Sequence, residues 1–570
     1  MTKLDWLVLI ATITLIVVYG IWKGRRNRDM QDYLLASRSL PWYIVCLSIM
    51  GTQASAITFL SAPGQAYGDG MRFVQFYFGL PLAMVVLSIT AVPIYHKLHV
   101  YTAYEYLESR FDLKTRTLAA TLFLIQRGIS TGVSIYAPAI VLSSILGWSV
   151  QWTCVLNGIL VLLYTVSGGT KAVSYTQLTQ MIIILSGMAV AGFLTVQLLP
   201  PDITFADALR VAGKADKLNV IDLKFDPNNQ YNIWSGLIGG FFLSLSYFGA
   251  DQSQVGRYLS GSSVTQSRLG LLMNGIVKIP MQFGILFIGA MVFVFYLFVQ
   301  PPLFFNHIEL DALHNHGYTQ QVNALQYQQD SLFKIQQHDL RTLIQAMRDD
   351  KGVVEAEQKF HTTRSHMQQV RTQVTNLIKQ DKKVEKVEDT NYVFLSFVTR
   401  FLPSGLVGLL IAIVLLASMS SVAGALNSLT STTIIDVYKR ILCPDLSEAR
   451  YLTASRWITV GWGVFSIVVA LYAGQLGNLL EAVNRLGSLF YGVILGIFLC
   501  AFYIRRIRSY AVFYGAILAQ ITVFLLYWLT PIAFLWYNVI GCILVIIFAF
   551  PIELFQKKAG VLQKSETVIE

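Results

Sequence analysis

The chain has 570 residues, of which 54% are hydrophobic and only 13% are charged, and its mean hydropathy is +0.55. A water-soluble globular domain carries about 25% charged residues, and a disordered chain combines low hydrophobicity with high charge. The composition therefore excludes both classes and predicts a membrane protein. The net charge of +11 then indicates cationic cytoplasmic loops and no nucleic-acid partner.

Apolar runs long enough to cross a bilayer recur along the chain and predict an all-α membrane protein with about 13 transmembrane helices. The predicted spans are residues 5–22, 41–63, 74–95, 118–147, 150–167, 175–198, 232–252, 269–299, 403–428, 456–473, 479–504, 509–529 and 532–551.

Lys and Arg collect in alternate connecting segments between these spans. They include Lys23, Arg25, Arg26, Arg28, Lys171, Arg505, Arg506, Arg508, Lys557 and Lys558. Because cationic loops stay in the cytoplasm, the N-terminus is expected outside and the C-terminus inside. We expect a multi-pass protein of the plasma membrane, in a bacterium the inner membrane.

Two segments on the predicted outer side are longer than the rest, residues 199–231 and 300–395. The first is polar, and the second is charged and Gln-rich with apolar residues at helical spacing. The run DDKG at 349–352 predicts a break, and therefore a two-helix hairpin outside the membrane. It is either a solubilising insertion or a contact for an unknown outside partner. The apolar positions expected inside it are Leu325, Leu332, Ile335, Leu343, Met347, Val370, Val374 and Leu377.

The sequence contains no P-loop, HExxH or GxSxG motif, so we predict neither an enzyme nor an ATP-driven pump. His307, His314 and His316 lie near one another in the sequence, but no carboxylate spacing supports a metal site there. The remaining classes are a channel and a secondary transporter, in which polar residues inside the spans mark the pathway.

Two predicted spans carry such residues. Small and hydroxyl side chains fill the middle of the second span: Gly51, Thr52, Gln53, Ser55 and Thr58. A helix of this composition is easily unwound, and unwound carbonyls coordinate sodium in transporters; a helix-packing face is the alternative.

In the ninth span, Ala417, Ser420 and Ser421 share one helix face. Their carbonyl and two hydroxyls, facing two free carbonyls of the second span, predict a five-oxygen sodium cage.

Five segments carry a family resemblance: SAITFLSAPGQAY (55–67), KLHVYTAYEYLESRFDLKTR (97–116), YTVSGGTKAVSYTQLTQ (164–180), DQSQVGRYLSG (251–261) and SMSSVAGALNS (418–428). Through them the chain resembles the sodium:solute symporter family, whose members include sodium–glucose, iodide, monocarboxylate and bacterial sialic acid transporters. The resemblance implies a leucine-transporter-type fold, in which five helices are followed by an inverted repeat of five.

The resemblance also implies the division of the chain. The expected parts are an extra helix with a cytoplasmic loop (1–40), the first repeat (41–198), an outside loop (199–231), the first part of the second repeat (232–299), the hairpin insertion (300–395), the remainder of the second repeat (396–504), and two final helices with a short cytoplasmic tail (505–570).

The family's common sodium site maps onto the carbonyls of Gly51, Ala54 and Ala417 and the hydroxyls of Ser420 and Ser421. This set agrees with the cage predicted from the residues.

Some members hold a second sodium at an Asp of the fifth core helix and at two further serines. This chain has Gln177, Ala423 and Gly424 at those positions. Each departure removes a charge or an oxygen, so the resemblance predicts one sodium ion and not two.

The substrate site implied by the resemblance comprises Gln53, Ser55, Thr58, Arg127, Ser130, Ser244 and Tyr247. Sialic acid members contact the sugar acid at positions 55 and 58 and place a carboxylate-binding Arg at the position of Ser130. Arg127 lies one turn earlier, so its side chain either reaches the same cavity or extends to the cytoplasmic edge. The galactose-binding positions of sugar members are mostly not matched, and Tyr247 takes the place of an aromatic inner gate.

The predicted function is sodium-coupled symport of a small polar organic solute, such as an organic acid or a sugar acid like sialic acid, by alternating access. A neutral sugar or inositol is the first alternative as solute. A channel or sensor built on the transporter fold is the alternative from another class.

Overall fold

The computed structural model describes residues 1–24, 35–382 and 387–566, and within them it is helical without a β-strand. The all-α prediction is confirmed. The α-helices are α1 Lys3–Gly24, α2 Trp42–Gln53, α3 Ala56–Asp69, α4 Leu80–Ile89, α5 Ala91–Leu98, α6 Ala103–Arg110, α7 Leu113–Leu146, α8 Val150–Gln197, α9 Phe205–Lys214, α10 Gly240–Gly249, α11 Gln252–Leu259, α12 Val264–Phe298, α13 His307–Asn315, α14 Thr319–Asp349, α15 Val353–Lys382, α16 Thr390–Phe401, α17 Leu406–Thr432, α18 Glu448–Tyr472, α19 Leu479–Tyr503, α20 Ser509–Leu529 and α21 Phe534–Glu566.

Ten helical segments of the described chain are long and apolar enough to cross a membrane, and two shorter apolar segments, Val150–Leu163 and Ser235–Gly249, accompany them. The count of about 13 spans stays a prediction. The predicted spans 150–167 and 175–198 correspond to two apolar segments, Val150–Leu163 and Thr170–Gln197, which belong to the single long helix α8.

The predicted orientation depends on cationic residues at both ends of the chain. Arg25, Arg26 and Arg28 lie outside the described residues, as do the side chains of Lys23, Lys557 and Lys558. The sidedness of the termini therefore stays a prediction.

Burial separates central helices from peripheral ones. Helices α12 and α17 are mostly buried, whereas α1, α20 and α21 expose most of their apolar surface. The paired helices α2 and α3 pack against α12 and α17, and α7 packs against α17 and α19. Outward-facing residues such as Leu15, Trp528 and Leu529 are exposed, as expected of helices in contact with lipid. Polar side chains at the centre of this bundle are consequently shielded from lipid.

Two of the central helices are broken near their middles. The helix predicted over 41–63 ends at Gln53 and begins again at Ala56. The helix predicted over 232–252 ends at Gly249, and α11 begins at Gln252. The predicted unwinding of the second span is confirmed. Each break releases backbone groups from the helical ladder and brings them to the centre of the bundle.

The predicted hairpin is confirmed as the antiparallel pair α14 and α15, joined at Asp350 and Gly352, which both have positive φ. Of the apolar residues that recur at helical spacing, Ile335 is 51% exposed, whereas its neighbour Gln336 is buried. Part of the hairpin has an apolar core of its own, which consists of Leu303, Phe304, Leu313, Val322, Leu325, Val370, Val374 and Ile378.

Ion pairs connect the hairpin to the polar segment 199–231, and we refer to residues 205–217, α14 and α15 together as the hairpin layer. Asp207 accepts from Arg348 at 2.6 Å, and this partner lowers the pKa of that carboxyl to about 2. Lys214 and Glu357 lie 2.8 Å apart. Lys217 is 4% exposed, donates to the Gly68 carbonyl in α3, and has its pKa lowered by burial to about 7. The layer therefore contacts the end of a central broken helix.

Candidate ion and solute site

The first helix break frees two backbone carbonyls. In an unbroken helix the N–H of Ser55 would bond the carbonyl of Gly51, but it donates to Gln53 instead, at 2.9 Å. The N–H of Thr58, which would bond the carbonyl of Ala54, donates to Ser55 at 2.9 Å. The carbonyls of Gly51 and Ala54 are thus released from the helical ladder in a buried position.

Helix α17 presents hydroxyls to this break. The Ser421 hydroxyl donates to the Gly51 carbonyl at 3.1 Å, and the Ser420 hydroxyl donates to the Ala417 carbonyl at 3.1 Å. All three α17 residues are at most 7% exposed. One contact, between Ser421 and Gly51, thus joins the two elements that carry the residues predicted for the sodium cage, and all five of these residues are buried. We call them the oxygen cluster: Gly51, Ala54, Ala417, Ser420 and Ser421. Oxygen ligands suit hard cations.

Tyrosine hydroxyls bond the backbone carbonyls at the second helix break. The Tyr95 hydroxyl donates to the Gly249 carbonyl at 2.7 Å, and the Tyr104 hydroxyl donates to the Ala250 carbonyl at 2.8 Å. Phenol hydroxyls thus occupy the carbonyls of the second break, whereas the serine hydroxyls of α17 face the first break. The candidate ion site is therefore the first break.

A cavity of about 130 Å³ lies next to the oxygen cluster. Its wall includes Ser421, and Tyr77, Asn484 and Tyr491 contribute further polar atoms. The structure brings all seven residues predicted for the substrate site into this wall: Gln53, Ser55, Thr58, Arg127, Ser130, Ser244 and Tyr247.

Arg127 lines this cavity but is already ion-paired. Its guanidinium contacts the carboxylate of Asp251 and lies 2.6 Å from the Ser253 hydroxyl. Asp251 has a fully buried side chain and also accepts from the Tyr491 hydroxyl at 2.7 Å. The predicted alternative in which Arg127 extends to the cytoplasmic edge is wrong, because the buried carboxylate holds it in the bundle. Its charge is consequently neutralised before any solute binds.

Lys278 of α12 supplies a second cation to the cavity wall. The residue is 0% exposed, and its ammonium has no hydrogen-bond partner among the described residues. Its Nζ lies 5.5 Å from the centre of the Tyr77 ring, a weak cation–π contact. An ionisable group inside a membrane protein is costly to bury and is retained for a function. The ammonium of Lys278 is therefore placed to receive an anionic group.

The positions expected to have lost a second sodium site are also buried. The Gln177 amide accepts from the Ser48 hydroxyl at 2.7 Å and donates to the Thr52 hydroxyl at 3.2 Å. Ala423 is fully buried, and Gly424 faces the guanidinium of Arg257. Neutral hydrogen bonds and a side-chain cation thus surround these positions.

Side-chain contacts close the cavity towards the hairpin layer. Asn478 donates to Gln65 at 2.5 Å, and Tyr231 donates to Glu481 at 3.0 Å. Gln65, Asn478 and Glu481 also line a larger cavity of about 470 Å³ beneath α15. These contacts therefore separate an outer chamber from the central cavity.

Contacts at the far end of α17 form a second closure. Asp436 accepts from Arg116 at 2.7 Å and from Thr102 at 2.9 Å, and Arg440 pairs with Glu108. They connect Thr433–Leu442, the helical continuation of α17, to α6 and α7.

Asp251 and Lys278 were missed as site residues by the sequence analysis. The sequence contained a signal for each of them, since Lys278 lies within the predicted span 269–299 and Asp251 lies within the predicted span 232–252. Charges in such positions favour a functional role on their own. Their partners, however, come from helices distant in sequence and were not accessible from local patterns.

Comparisons with known proteins agree with this architecture. The sequence model of the sodium:solute symporter family matches residues 33–308 and 372–519. The human sodium/iodide cotransporter is 30% identical over 287 residues, which cover 50% of this chain and 44% of that protein. The chain thus aligns with less than half the length of that relative. The sodium/sialic acid symporter NanT of Aliivibrio fischeri is 23% identical over 560 residues, which cover 96% of this chain and 92% of that protein.

A solved structure of a Na+-coupled sialic acid symporter, in a substrate-bound outward-open state, superimposes with a TM-score of 0.75. The two sequences are 20% identical, and the match covers 97% of this chain and 98% of the other. This likeness concerns the fold, and it confirms the leucine-transporter-type architecture. Most of the hairpin lies between the two matched parts of the family model, and the second part begins within α15.

Proposed function

This chain belongs to the sodium:solute symporter family, and we propose that it is a sodium-coupled symporter that imports a small organic acid by alternating access. The observation that carries the proposal is the double role of Ser421, whose hydroxyl contacts the Gly51 carbonyl and whose side chain also lines the central cavity. An ion bound at the oxygen cluster would therefore order part of the solute site directly.

In this mechanism, sodium bridges the broken helix α2–α3 and helix α17. It draws the Gly51 and Ala54 carbonyls towards Ser420 and Ser421, and the solute then binds beside it. Inward release requires the contacts at the far end of α17 to open while those near the hairpin layer stay closed. Coupling follows because each ligand binds one state better than the other, since only differential affinity shifts an equilibrium.

The proposed coupling is one sodium ion per cycle. The amide of Gln177 uses its oxygen and nitrogen on Ser48 and Thr52, and Ala423 and Gly424 offer no side-chain oxygen. These features support the absence of a second sodium site.

Two features of the cavity support an organic acid as solute. The ammonium of Lys278 is buried with no partner among the described residues, and a carboxylate is the partner that would neutralise it. The volume of about 130 Å³ compares with the cavity of about 150 Å³ that holds benzene. It therefore favours an acid of a few carbons over a nine-carbon sugar acid or an inositol.

We further propose a plasma-membrane location, with the N-terminus outside and the C-terminus in the cytoplasm. The hairpin layer then lies outside, over the entrance. The outer chamber beneath α15 is the expected entry path, because it shares Gln65 and Glu481 with the contacts that close the central cavity.

The test is uptake into proteoliposomes that contain the purified full chain, with and without an inward sodium gradient. The solutes are short monocarboxylates, iodide, sialic acid, a hexose and an inositol. We expect saturable, sodium-dependent uptake of a short carboxylate. Current that does not saturate with solute would indicate a channel, and the absence of uptake of every solute would favour a sensor.

The sodium site is tested by Ser420→Ala and Ser421→Ala. Each variant removes one oxygen from a cluster that binds a charge, worth about 1.5–3 kcal/mol, so half-saturating sodium should rise about tenfold or more. Ser428→Ala is the matched control, because this serine of the same helix donates only to the Ala425 carbonyl. Unchanged sodium dependence in both cluster variants contradicts the assignment.

A further inference from the structure

The outer chamber beneath α15 contains polar atoms without a protein partner. Three of them are buried and have no hydrogen-bond partner among the described residues: Nη1 of Arg371, the hydroxyl of Thr390 and Oε1 of Gln329. All three residues line this cavity of about 470 Å³. A buried polar atom is costly when it is unpaired, so these three atoms indicate that a polar ligand or ordered water binds in the chamber.

Two of the three atoms can donate, and they belong to the same end of the chamber. Nη2 of Arg371 donates to both carboxylate oxygens of Asp389, at 2.7 and 2.8 Å. Asp389 directly precedes Thr390 in the chain, and its carboxylate also accepts from the backbone N–H of Phe305 at 2.7 Å. The ion pair therefore fixes the guanidinium near Thr390 and leaves Nη1 to donate to another acceptor, since a guanidinium has five N–H donors.

Charge alone does not select the ligand of this chamber. Its lining contains four basic and four acidic residues, which are Lys217, Arg364, Arg371 and Lys379, and Asp69, Glu388, Asp389 and Glu481. The selection then depends on the unpartnered atoms. A carboxylate suits the two donors at Arg371 and Thr390, and a hydroxyl suits the acceptor oxygen of Gln329.

We propose that the outer chamber is a second binding site for the organic acid, in which Arg371 and Thr390 donate to its carboxylate and Gln329 accepts from a hydroxyl. The inference rests on the proposed function for the identity of the solute. The chamber has more than three times the volume of the central cavity, about 470 against 130 Å³, so the acid can bind there with part of its hydration water. Arg371 and Gln329 lie outside the residues that match the family model, 33–308 and 372–519, so two of the three binding residues belong to the inserted hairpin.

The proposed site adjoins the contacts that close the central cavity. The backbone carbonyl of Thr390 packs against Gly64 of α3 so closely that a Cβ at residue 64 would overlap with it. The next residue, Gln65, accepts from Asn478 in one of the closing contacts. An acid bound at Thr390 therefore waits beside the closure, and its local concentration there is raised before the central cavity opens.

The experiment is equilibrium dialysis of the purified full chain against radioactive 2-hydroxypropionate (lactate), a short acid with one hydroxyl. The background is Lys278→Gln, which weakens the central site. We expect one bound lactate in this background, with or without sodium, and an affinity about tenfold lower or more after Thr390→Val, because a hydrogen bond to a charged group is lost. Thr115→Val is the matched control, because the Thr115 hydroxyl is also buried without a partner among the described residues but lies in α7, away from the chamber. Unchanged affinity in Thr390→Val, or no lactate bound in the background variant, overturns the inference and assigns the unpartnered atoms to water.

A second variant tests the carboxylate contact. Arg371→Lys keeps a cation beside Asp389 but removes the second arm of the guanidinium. It should weaken the binding of lactate about tenfold or more and should leave the binding of the uncharged lactamide unchanged. Equal losses for the acid and the amide would show that Arg371 does not bind the carboxylate.

Uptake measurements separate this inference from the proposed function. Thr390→Val should raise the half-saturating concentration of lactate and leave the maximal rate unchanged. A wild type without sodium-dependent uptake of any acid contradicts the proposed symport, whereas the dialysis result still decides whether the chamber binds an acid. Normal half-saturation in Thr390→Val contradicts only the role of the chamber in uptake.

Discussion

Replacement of either member of the buried pair Arg127–Asp251 should destabilise the protein more than replacement of both. Asp251→Asn removes the negative charge and leaves the Arg127 guanidinium without a counterion. Arg127→Gln leaves the carboxylate with neutral donors from Ser253 and Tyr491. In the double variant neither charge is present.

The structure sets the size of these effects. The Asp251 side chain is fully buried, and that of Arg127 is 11% exposed. Breaking a buried ion pair costs about 3–5 kcal/mol, whereas replacing the whole pair is often close to neutral. We expect each single variant to lose about 3 kcal/mol or more of unfolding free energy, and the double variant to lose less than either single variant.

The assay is equilibrium unfolding of the purified full chain in mixed detergent micelles, for the wild type, both single variants and the double variant. Ser244→Ala is the control, because Ser244 lines the same cavity without contacting the pair. Additive losses in the double variant would refute the reasoning. They would mean that the two groups act independently, and Arg127 would then be available to a solute carboxylate.

Three further outcomes are expected. Lys278→Gln should raise the half-saturating concentration of the transported acid about tenfold or more, because a charged hydrogen bond is lost. The half-saturating concentration of the matching amide should not change. Equal changes for acid and amide would show that Lys278 does not recognise the charge of the solute. Between pH 7 and 10 the hairpin layer should become more stable as pH rises, because Lys217 has a pKa of about 7 in the folded protein and of 10.5 when exposed. In this pH range the unfolded state therefore binds more protons than the folded state does. Hydrogen exchange, corrected for intrinsic rates, should show this rise in stability with pH in the control variant Lys214→Met but not in Lys217→Met. A short epitope inserted after Lys351, in the exposed turn of the hairpin, should leave uptake unchanged, and loss of uptake would indicate that the turn itself takes part in transport.

Local sequence composition was sufficient for the features that depend on neighbouring residues. The run of small and hydroxyl residues around Gly51 predicted the first helix break, and the DDKG segment predicted the hairpin turn. The spacing of Ser420 and Ser421 placed both hydroxyls on one face, where they contact Ala417 and Gly51. Such features depend on backbone preference and helix periodicity, and a few consecutive residues determine both.

Features that join distant segments could not be predicted in this way. The pairing of Arg127 with Asp251 spans 124 residues, and the approach of Arg257 to Gly424 depends on how α11 packs against α17. The roles of the predicted site residues stay predictions until the variants above are measured.

The neutral surroundings of Gln177, Ala423 and Gly424 have a consequence for how far a symporter with the proposed one-ion coupling could concentrate its solute. One sodium ion and one monoanion together would carry no net charge, so the membrane potential, worth about 2.3 kcal/mol per charge at 100 mV, would not drive the cycle. A tenfold sodium gradient, worth about 1.4 kcal/mol, would then limit accumulation to about tenfold. A second co-transported sodium would raise the limit to several thousandfold under the same conditions. The proposed coupling would therefore make import insensitive to the potential and easily reversed when internal acid rises.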